Sequence, residues 1–295
     1  MFLSHKRQRF LLKLLSFFSL VRGYNIIVLV IAQYLSARYI LTADIPWLDI
    51  LFDTNFFSII LASALSTAAG YIINNFYDAA KDQINRPRKY ILEHLISQQI
   101  QLVLYLIMNM FALVFASAVS FSAVLFFSFY MLSIWIYSST IKRLFWLSNI
   151  FSALLMIFPF WAITLYFGNF DKVIFYHASF LFLLILARDI IKDLENFKGD
   201  WVQRYQTLPI VFNVNTTKWI ISLCLLLCLI PNYFLLEQKL GVMHYYFLAS
   251  NPILVFVLIF LWRATDQKTY LWTHNLIKVW ILAGVFSISL FYKTL

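Results

Sequence analysis

Long uninterrupted apolar runs dominate the pattern of hydrophobic and polar positions along this chain. A helix needs about 20 apolar residues to cross the hydrocarbon core of a bilayer. The runs are continuously apolar rather than alternating, which argues against membrane-spanning strands. The pattern therefore predicts an all-α membrane protein with about nine transmembrane helices. The predicted spans cover residues 24–41, 55–76, 99–117, 120–138, 147–167, 173–193, 216–236, 246–263 and 273–292.

The composition agrees with this prediction. Of the 295 residues, 62% are hydrophobic and only 12% are charged, which is about half the charged share of a soluble domain. No Pro-, Gly- or Ser-rich stretch divides the chain, so we expect one domain over residues 1–295. Residues 1–20 mix basic and apolar side chains without a small-residue cleavage site, which predicts a retained amphipathic helix rather than a signal peptide.

The basic residues fall mainly on one side of the nine-span arrangement. With a cytoplasmic N-terminus, 19 of the 23 Lys and Arg residues lie on the cytoplasmic side, as the positive-inside rule requires. We therefore expect a multi-pass protein with its N-terminus in the cytoplasm. A negative inner leaflet and an anionic substrate account for the net charge of +10, so no nucleic-acid partner is expected.

Two clusters of oxygen-bearing side chains carry the candidate chemistry. Asn74, Asp78 and Asp82 follow one another at four-residue spacing at the cytoplasmic end of the second span, so a helix places them on one face. Asp189 and Asp193 repeat this spacing 111 residues later, at the end of the sixth span. Because four spans separate the clusters, both emerge on the same side of the membrane. The matched register hints at an internal duplication.

Carboxylates in such pairs suit Mg²⁺, which usually binds one or two carboxylates together with waters and substrate phosphates. Two facing clusters predict two or more ions that bridge a diphosphate. An anion site beside an apolar bundle indicates a lipid-tailed substrate, such as an allylic prenyl diphosphate. Tyr137, at the end of the fourth span, is a candidate ring to stabilise the allylic cation. The neighbouring basic residues are Arg86, Arg88, Lys89, Lys142, Lys192, Lys198 and Arg204.

These residues resemble the Asp-rich motifs of the UbiA superfamily of intramembrane prenyltransferases. The first motif is matched by NNFYDAAKDQINRPRK over residues 74–89, and the second by RDIIKDLENFKGD over residues 188–200. A third match is YSSTIKR over residues 137–143, before Asn149. Weaker matches are Arg22 with Asn25 in the first span, and Lys278 in the ninth. The chain departs from the motifs at Asn75 and Asn196, where an acidic residue is usual.

The resemblance implies a magnesium-dependent prenyltransferase whose nine helices surround a central cavity. Cytoplasmic loops over residues 82–95 and 193–209 would cap that cavity. The implied metal and diphosphate ligands are Asn74, Asp78, Asp82, Asp189 and Asp193, and the implied catalytic residues are the four Asp residues with Tyr137. The implied substrate-binding residues are Asn74, Arg86, Lys89, Lys142, Arg22, Asn25, Asp200, Arg204 and Lys278.

The sequence leaves alternatives open for the acceptor substrate and for the function. Within the family, the chain is most similar to the digeranylgeranylglyceryl phosphate synthases and their bacterial relatives, which implies geranylgeranyl transfer to a glycerol-phosphate ether lipid in a prokaryotic plasma membrane. An aromatic acceptor of quinone biosynthesis, hydroxybenzoate or a naphthoate, is the alternative within the family. A cation-coupled transporter is the alternative of another class. The acids lie at helix ends beside basic loops rather than at the bilayer midplane, which favours the enzyme.

Overall fold

The computed structural model of this chain describes residues 5–42, 45–145, 147–238 and 240–290. Nine helices within these ranges are long and apolar enough to cross a membrane. The prediction of an all-α membrane protein with about nine transmembrane helices is confirmed. The first four residues of the predicted amphipathic helix, and residues 291–292 of the ninth predicted span, lie outside the described ranges.

Fifteen α-helices follow one another along the described residues. The spans are formed by α2, α4, α6, α7, α8, α9, α12 together with α13, α14, and α15. The helices are α1 His5–Leu20, α2 Gly23–Ser36, α3 Trp47–Phe52, α4 Thr54–Asn85, α5 Pro87–Glu93, α6 Gln98–Val119, α7 Phe121–Ser139, α8 Leu147–Phe167, α9 Lys172–Glu195, α10 Phe197–Val202, α11 Leu208–Val211, α12 Val214–Leu227, α13 Leu229–Glu237, α14 His244–Arg263 and α15 Gln267–Ser287.

The outer surface of the bundle is apolar, as a lipid-facing surface requires. On α6, Val103, Leu106, Met110 and Val114 recur every three or four residues, and each is more than half exposed. That spacing places them on one helical face. A soluble bundle turns such a face toward its core, so the outward stripe indicates contact with lipid.

The second span differs most from its predicted boundaries. Helix α4 continues to Asn85 rather than ending at residue 76, and its 32 residues give a length of about 48 Å. That exceeds a hydrocarbon core of about 30 Å, so the polar motif lies on the part of the helix that leaves the bilayer. The helix ends before Pro87, because proline excludes the preceding residue from helical backbone angles.

The ends of α4 and α9 are joined to one another, and we call this end of the bundle the cap end. The Asn85 amide nitrogen donates to the backbone carbonyl of Asn196 (3.2 Å), and the Gly199 backbone N–H donates to the Asn85 side-chain oxygen (3.0 Å). A Cβ on Gly199 would lie 2.3 Å from the Asn85 amide nitrogen, so a larger residue at position 199 would displace the Asn85 side chain from these hydrogen bonds. Arg86 also pairs with Glu195 at 2.7 Å. The predicted cap segments, residues 82–95 and 193–209, thus meet where the end of α4 contacts the end of α9 and the start of α10.

Candidate active site

A cavity of ≈ 330 Å³ lies among α2, α4, α7, α8, α9 and α15. On each helix the lining residues recur at helical spacing, as Thr67, Gly70, Asn74 and Asp78 do on α4. The lining is polar and charged at the cap end and becomes apolar farther along the helices. The apolar part includes Val28, Leu29, Leu155, Leu181, Ile185, Ile281, Leu282 and Val285. This arrangement suits a ligand with an anionic head and an apolar tail.

Asp78 is held by a cation from another helix end. The Lys142 ammonium lies 2.8 Å from Asp78 Oδ1 and donates more weakly to the Asn74 side-chain oxygen at 3.4 Å. Lys142 is buried and follows α7 in a short 3₁₀ turn. Tyr205 approaches Asp78 from the segment after α10, with its hydroxyl donating at 3.4 Å. The first acid cluster is therefore assembled from three separate parts of the chain.

Asp189 is bound by a hydroxyl and a guanidinium. Ser152 Oγ on α8 donates to Asp189 Oδ2 at 2.7 Å, and Arg188 Nη2 donates to Oδ1 at 2.9 Å. Both partners line the same cavity. The negative charge of this carboxylate is therefore partly balanced within the protein itself.

Asp193 differs from the other two acids because it lies beside an amide rather than a cation. The Asn149 amide nitrogen donates to Asp193 Oδ2 at 2.8 Å, and no cation of the described residues lies within 4.0 Å of this carboxylate. The side-chain oxygen of Asn149 is buried, and no group in the described part of the chain donates to it. A buried carboxylate and an unsatisfied amide oxygen are costly unless a positive group is added.

The donor set at the cap end fits Mg²⁺. Within the described ranges, no group of three or more Asp, Glu, His or Cys side chains is arranged to hold a metal ion alone. Single carboxylates and amide oxygens are instead spread around the cap end of the cavity. Mg²⁺ prefers such a site, because it keeps several waters and completes its shell with substrate phosphate oxygens. Asp193 and the Asn149 oxygen are the donors with the most unsatisfied capacity for such an ion.

Three cations line the cavity without a carboxylate partner among the described residues. They are Arg22, Lys192 and Lys278, from α2, α9 and α15 or their ends. The Arg22 guanidinium lies over the Tyr71 ring, 4.6 Å from its centroid. Arg22 adopts left-handed backbone angles (φ 49) in the turn between α1 and α2, which is uncommon for a residue other than glycine. These cations form a wall that suits an anion.

Most of the site residues predicted from the sequence meet at this cavity. Those that line it are Asn74, Asp78, Asp189, Asp193, Tyr137, Lys142, Arg22, Asn25 and Lys278. The predicted residues that do not line the cavity are Asp82, Arg86, Lys89, Asp200 and Arg204. Tyr137 stacks on Phe151 with ring planes 8° apart and centroids 6.3 Å apart, so one aromatic pair stands beside the acids.

The predicted residues outside the cavity form contacts around the cap end. Lys89 approaches Glu93 at 3.4 Å, and Asp200 is fully buried against the Lys81 ammonium at 2.5 Å. Asp82 lies one turn beyond Asp78 on α4. Arg204 has left-handed backbone angles (φ 56) in the segment after α10. The Asn75 amide nitrogen, at the first motif departure, donates to Glu93 at 2.5 Å rather than lining the cavity.

Sequence reasoning missed Lys81, Ser152 and Tyr205 as members of the site. Lys81 lies three residues after Asp78 on the same helix, so its spacing could have revealed it. Ser152 shares a face of α8 with Asn149, but an isolated serine in an apolar span carries no signal of its own. Tyr205 reaches the site through the turn after α10, which no spacing rule predicts.

Two titratable groups beside the cavity have shifted pKa values. Burial raises the pKa of the Tyr205 phenol to about 12, and the nearby Asp78 carboxylate shifts it in the same direction. Tyr205 therefore stays protonated at neutral pH and can donate its hydrogen bond to Asp78. Burial also raises the pKa of Asp200, although the Lys81 ammonium opposes that shift.

Comparison with known proteins gives an independent view of the chain. Residues 28–290 match the UbiA prenyltransferase family. The digeranylgeranylglyceryl phosphate synthase of Thermococcus sibiricus is 29% identical over 242 residues, which cover 79% of this chain and 83% of that protein. The synthase of the same name from Haloquadratum walsbyi is 29% identical over 217 residues, covering 71% and 73%.

Solved structures share the fold over nearly the whole chain. A structure concerned with digeranylgeranylglyceryl phosphate synthase in membranes has a TM-score of 0.69 and 18% identity, covering 94% of this chain and 97% of that one. A UbiA homologue from Archaeoglobus fulgidus, bound to GPP and Mg²⁺, has a TM-score of 0.65 and 14% identity, covering 93% and 99%. The predicted arrangement of helices around a central cavity agrees with these neighbours.

Proposed function

The chain belongs to the UbiA prenyltransferase family, and on that premise we propose that it transfers a geranylgeranyl group from its allylic diphosphate to a glycerol-phosphate ether lipid. The observation that carries the proposal is the cavity, which has an apolar lining and, at its cap end, carboxylates together with cations that have no carboxylate partner among the described residues. Both substrates of this reaction have an anionic head and a long apolar tail. The digeranylgeranylglyceryl phosphate synthases among its relatives support the same assignment.

We place the donor diphosphate and Mg²⁺ at the acid clusters. The groups that would hold the metal are the carboxylates of Asp78, Asp189 and Asp193 and the amide oxygens of Asn74 and Asn149. When bound, Mg²⁺ supplies positive charge that stabilises the departing diphosphate. The Archaeoglobus fulgidus homologue was solved with Mg²⁺ and a prenyl diphosphate, which supports this placement. The predicted site residues outside the cavity would then act by shaping its cap end. They are Asp82, Arg86, Lys89, Asp200 and Arg204.

The side chains of the cavity have distinct roles in this reaction. Lys142 and Arg188 present charged donors to the same space as the acids, so they would bind oxygens of the diphosphate. When the bond between C1 and oxygen breaks, the electron pair leaves with the diphosphate. The acceptor oxygen then bonds to C1, and its hydroxyl proton is released. The Tyr137 ring, stacked on Phe151, would stabilise positive charge on the prenyl group during this exchange.

The acceptor phosphate fits the cavity cations that have no carboxylate partner in the described part of the chain. Arg22 and Lys278 line the cavity on the side of α2 and α15, and Lys192 lies on α9. A phosphomonoester carries nearly two negative charges at neutral pH, whereas hydroxybenzoate and naphthoate acceptors each carry one carboxylate. Three cations without a carboxylate partner among the described residues therefore favour a phosphorylated lipid over an aromatic acid. We further propose that the cap end faces the cytoplasm of a prokaryotic cell, in line with the distribution of basic residues.

A panel of acceptors tests the assignment. Purified protein in detergent, with Mg²⁺ and radiolabelled geranylgeranyl diphosphate, is expected to label geranylgeranylglyceryl phosphate and to leave hydroxybenzoate and dihydroxynaphthoate unlabelled. Labelled products are separated by thin-layer chromatography. Transfer to an aromatic acid in preference to the phosphorylated lipid would refute the ether-lipid assignment and favour an enzyme of quinone biosynthesis.

A further inference from the structure

Glu93 is a buried carboxylate to which the proposed reaction gives no role. It is the last residue of α5 at the cap end, and its side chain is 1% exposed. It does not line the cavity. A carboxylate in such a position costs free energy unless polar or charged partners surround it. Its partners therefore show which parts of the chain it joins.

Side chains from α1, α4 and α5 surround this carboxylate. The Ser19 hydroxyl, at the end of α1, donates to Glu93 Oε1 at 2.9 Å. The Asn75 amide nitrogen on α4 donates to Oε2 at 2.5 Å, and the Lys89 ammonium on α5 lies 3.4 Å from Oε1. The buried Gln101 side chain on α6 donates to the backbone carbonyl of Glu93 at 3.4 Å. Glu93 therefore links α1 to α4, and α6 in turn fixes the backbone of Glu93.

The link to α1 acts on the turn that brings Arg22 to the cavity. The backbone carbonyl of Ser19 accepts the Arg22 N–H at 3.0 Å, so Ser19 belongs to the same turn. Arg22 has left-handed backbone angles (φ 49), which a residue other than glycine keeps only where its surroundings enforce them. The hydrogen bond from the Ser19 side chain to a buried carboxylate supplies such a constraint, because it fixes the chain three residues before Arg22.

Apolar packing holds the same turn but does not replace this hydrogen bond. A small cluster of buried side chains joins the turn to α4 and to the segment before α6. Its buried members are Leu20, Val21, Ala68, Ile72 and Ile96. The hydrophobic effect is non-directional, whereas a hydrogen bond requires a defined distance and angle. The cluster therefore holds the turn against α4, and Glu93 fixes its orientation.

We propose that Glu93 is a positioning residue that fixes the turn between α1 and α2 through Ser19, and so holds Arg22 in the wall of the cavity. The inference rests on the proposed function only for the substrate that Arg22 binds, which is the acceptor phosphate. The observations that carry it are the burial of Glu93, its hydrogen bond from Ser19, and the left-handed backbone of Arg22 in the same turn.

The same arrangement accounts for the motif departure at Asn75. An amide at position 75 donates to Glu93, whereas an acid at this position would place two carboxylates side by side, and like charges at such a distance repel. The negative charge that is usual at position 75 is thus supplied from α5 by Glu93. Asn75 and Glu93 therefore form one unit, and a change at either residue should be compensated by a change at the other.

Ser19→Ala tests the link to α1 with the smallest change. We expect the KM for geranylgeranylglyceryl phosphate to rise by about three- to tenfold, the range for one hydrogen bond, while kcat and the KM for the donor stay near their wild-type values. Amide hydrogen exchange, followed by mass spectrometry in peptides that cover residues 17–26, should become faster. In an Arg22→Gln background, Ser19→Ala should raise this KM no further, because Ser19 acts through Arg22.

Ser16→Ala is the matched control. Ser16 lies one turn earlier on α1 and is 0% exposed, and its hydroxyl has no hydrogen-bond partner within the described residues. The substitution is the same chemical change on the same helix, without the loss of a hydrogen bond to Glu93. Its KM values and its hydrogen exchange should equal those of the wild type.

Moving the acid from position 93 to position 75 tests Glu93 itself. Asn75→Asp alone should raise the KM for the acceptor as Ser19→Ala does, because it repels the Glu93 carboxylate. In the double variant Asn75→Asp/Glu93→Gln, the amide at position 93 can donate to the carboxylate at position 75 while its oxygen still accepts from Ser19. The double variant should therefore recover the wild-type KM. A KM that stayed as high as in Asn75→Asp would overturn the role assigned to Glu93.

The outcomes separate this inference from the proposed function. Wild-type KM and hydrogen exchange in Ser19→Ala, together with a raised acceptor KM in Arg22→Gln, would overturn the inference and leave the proposed function intact. Additive effects of the two substitutions would overturn it as well, because Ser19 would then act by a route other than Arg22. If Arg22→Gln raised the KM for the donor instead and Ser19→Ala did the same, the positioning role would stand and only the proposed acceptor site would be refuted.

Discussion

Asp193→Asn is expected to lower the rate of prenyl transfer by about 10²- to 10³-fold, the loss typical when one group that stabilises developing charge is removed. Asp193 is the cavity carboxylate with no cation of the described residues beside it, and its neighbour Asn149 has an unsatisfied oxygen. These two groups have the most capacity left for Mg²⁺. An amide at position 193 keeps the shape of the side chain and removes its charge. The measurement is the initial rate of labelled product formation at saturating donor and acceptor.

The same change should leave the fold intact. The Asn149 amide can still donate to the oxygen of an asparagine at position 193, so the thermal unfolding midpoint in detergent should stay close to that of the wild type. Asp49→Asn provides a matched control, because Asp49 is exposed on α3 and does not line the cavity. Its rate should equal the wild-type rate. An Asp193→Asn enzyme that retained more than a tenth of wild-type activity would contradict the assigned role of this carboxylate.

Arg22→Gln is expected to raise the KM for the phosphorylated acceptor by about 10- to 100-fold, since a hydrogen bond to a charged group contributes about 1.5–3 kcal/mol. The KM for the donor should change little. Arg22 lines the cavity without a carboxylate partner among the described residues, and it reaches the site through the turn between α1 and α2. Steady-state kinetics with each substrate varied in turn measure the two constants. Lys278→Gln should have the same selective effect, because Lys278 lies on the same wall.

Arg88→Gln serves as the control for this change. Arg88 is an exposed cation on α5 at the same end of the bundle, so its loss alters the general surface charge without touching the cavity. Both KM values should remain at their wild-type levels. If Arg22→Gln instead raised the KM for the donor and left the KM for the acceptor unchanged, Arg22 and Lys278 would belong to the diphosphate site.

The number and order of the spans could be predicted from the sequence because each residue in a bilayer contributes to hydrophobicity nearly independently of its neighbours. The boundaries could not. Hydropathy reports where the bilayer ends, whereas a helix ends where its backbone is interrupted. Helix α4 therefore runs nine residues past the predicted limit, until Pro87 stops it. In the ninth span, Asp266 and Thr269 form a capping box that starts α15 six residues before the predicted beginning.

The candidate site could be predicted in part, for a different physical reason. Helical spacing shows that Asn74, Asp78 and Asp82 share a face, but it does not show how far along that face the cavity extends. Asp82 therefore lies one turn outside the lining. Spacing also does not select partners between helices. Arg86 pairs with Glu195, which is 109 positions away in the sequence, and only the tertiary contact between the end of α4 and the end of α9 brings them together.

The most direct test of the central claim is transfer measured before and after removal of divalent cations. The purified protein is treated with EDTA, supplied with radiolabelled geranylgeranyl diphosphate and geranylgeranylglyceryl phosphate, and then restored with Mg²⁺. We predict that labelled product is absent with EDTA and returns with Mg²⁺. The carboxylates and amides at the cap end would hold the diphosphate through bound Mg²⁺, and EDTA removes that ion. Product formation that continued at the same rate in EDTA would contradict a metal-dependent prenyl transfer at this cavity.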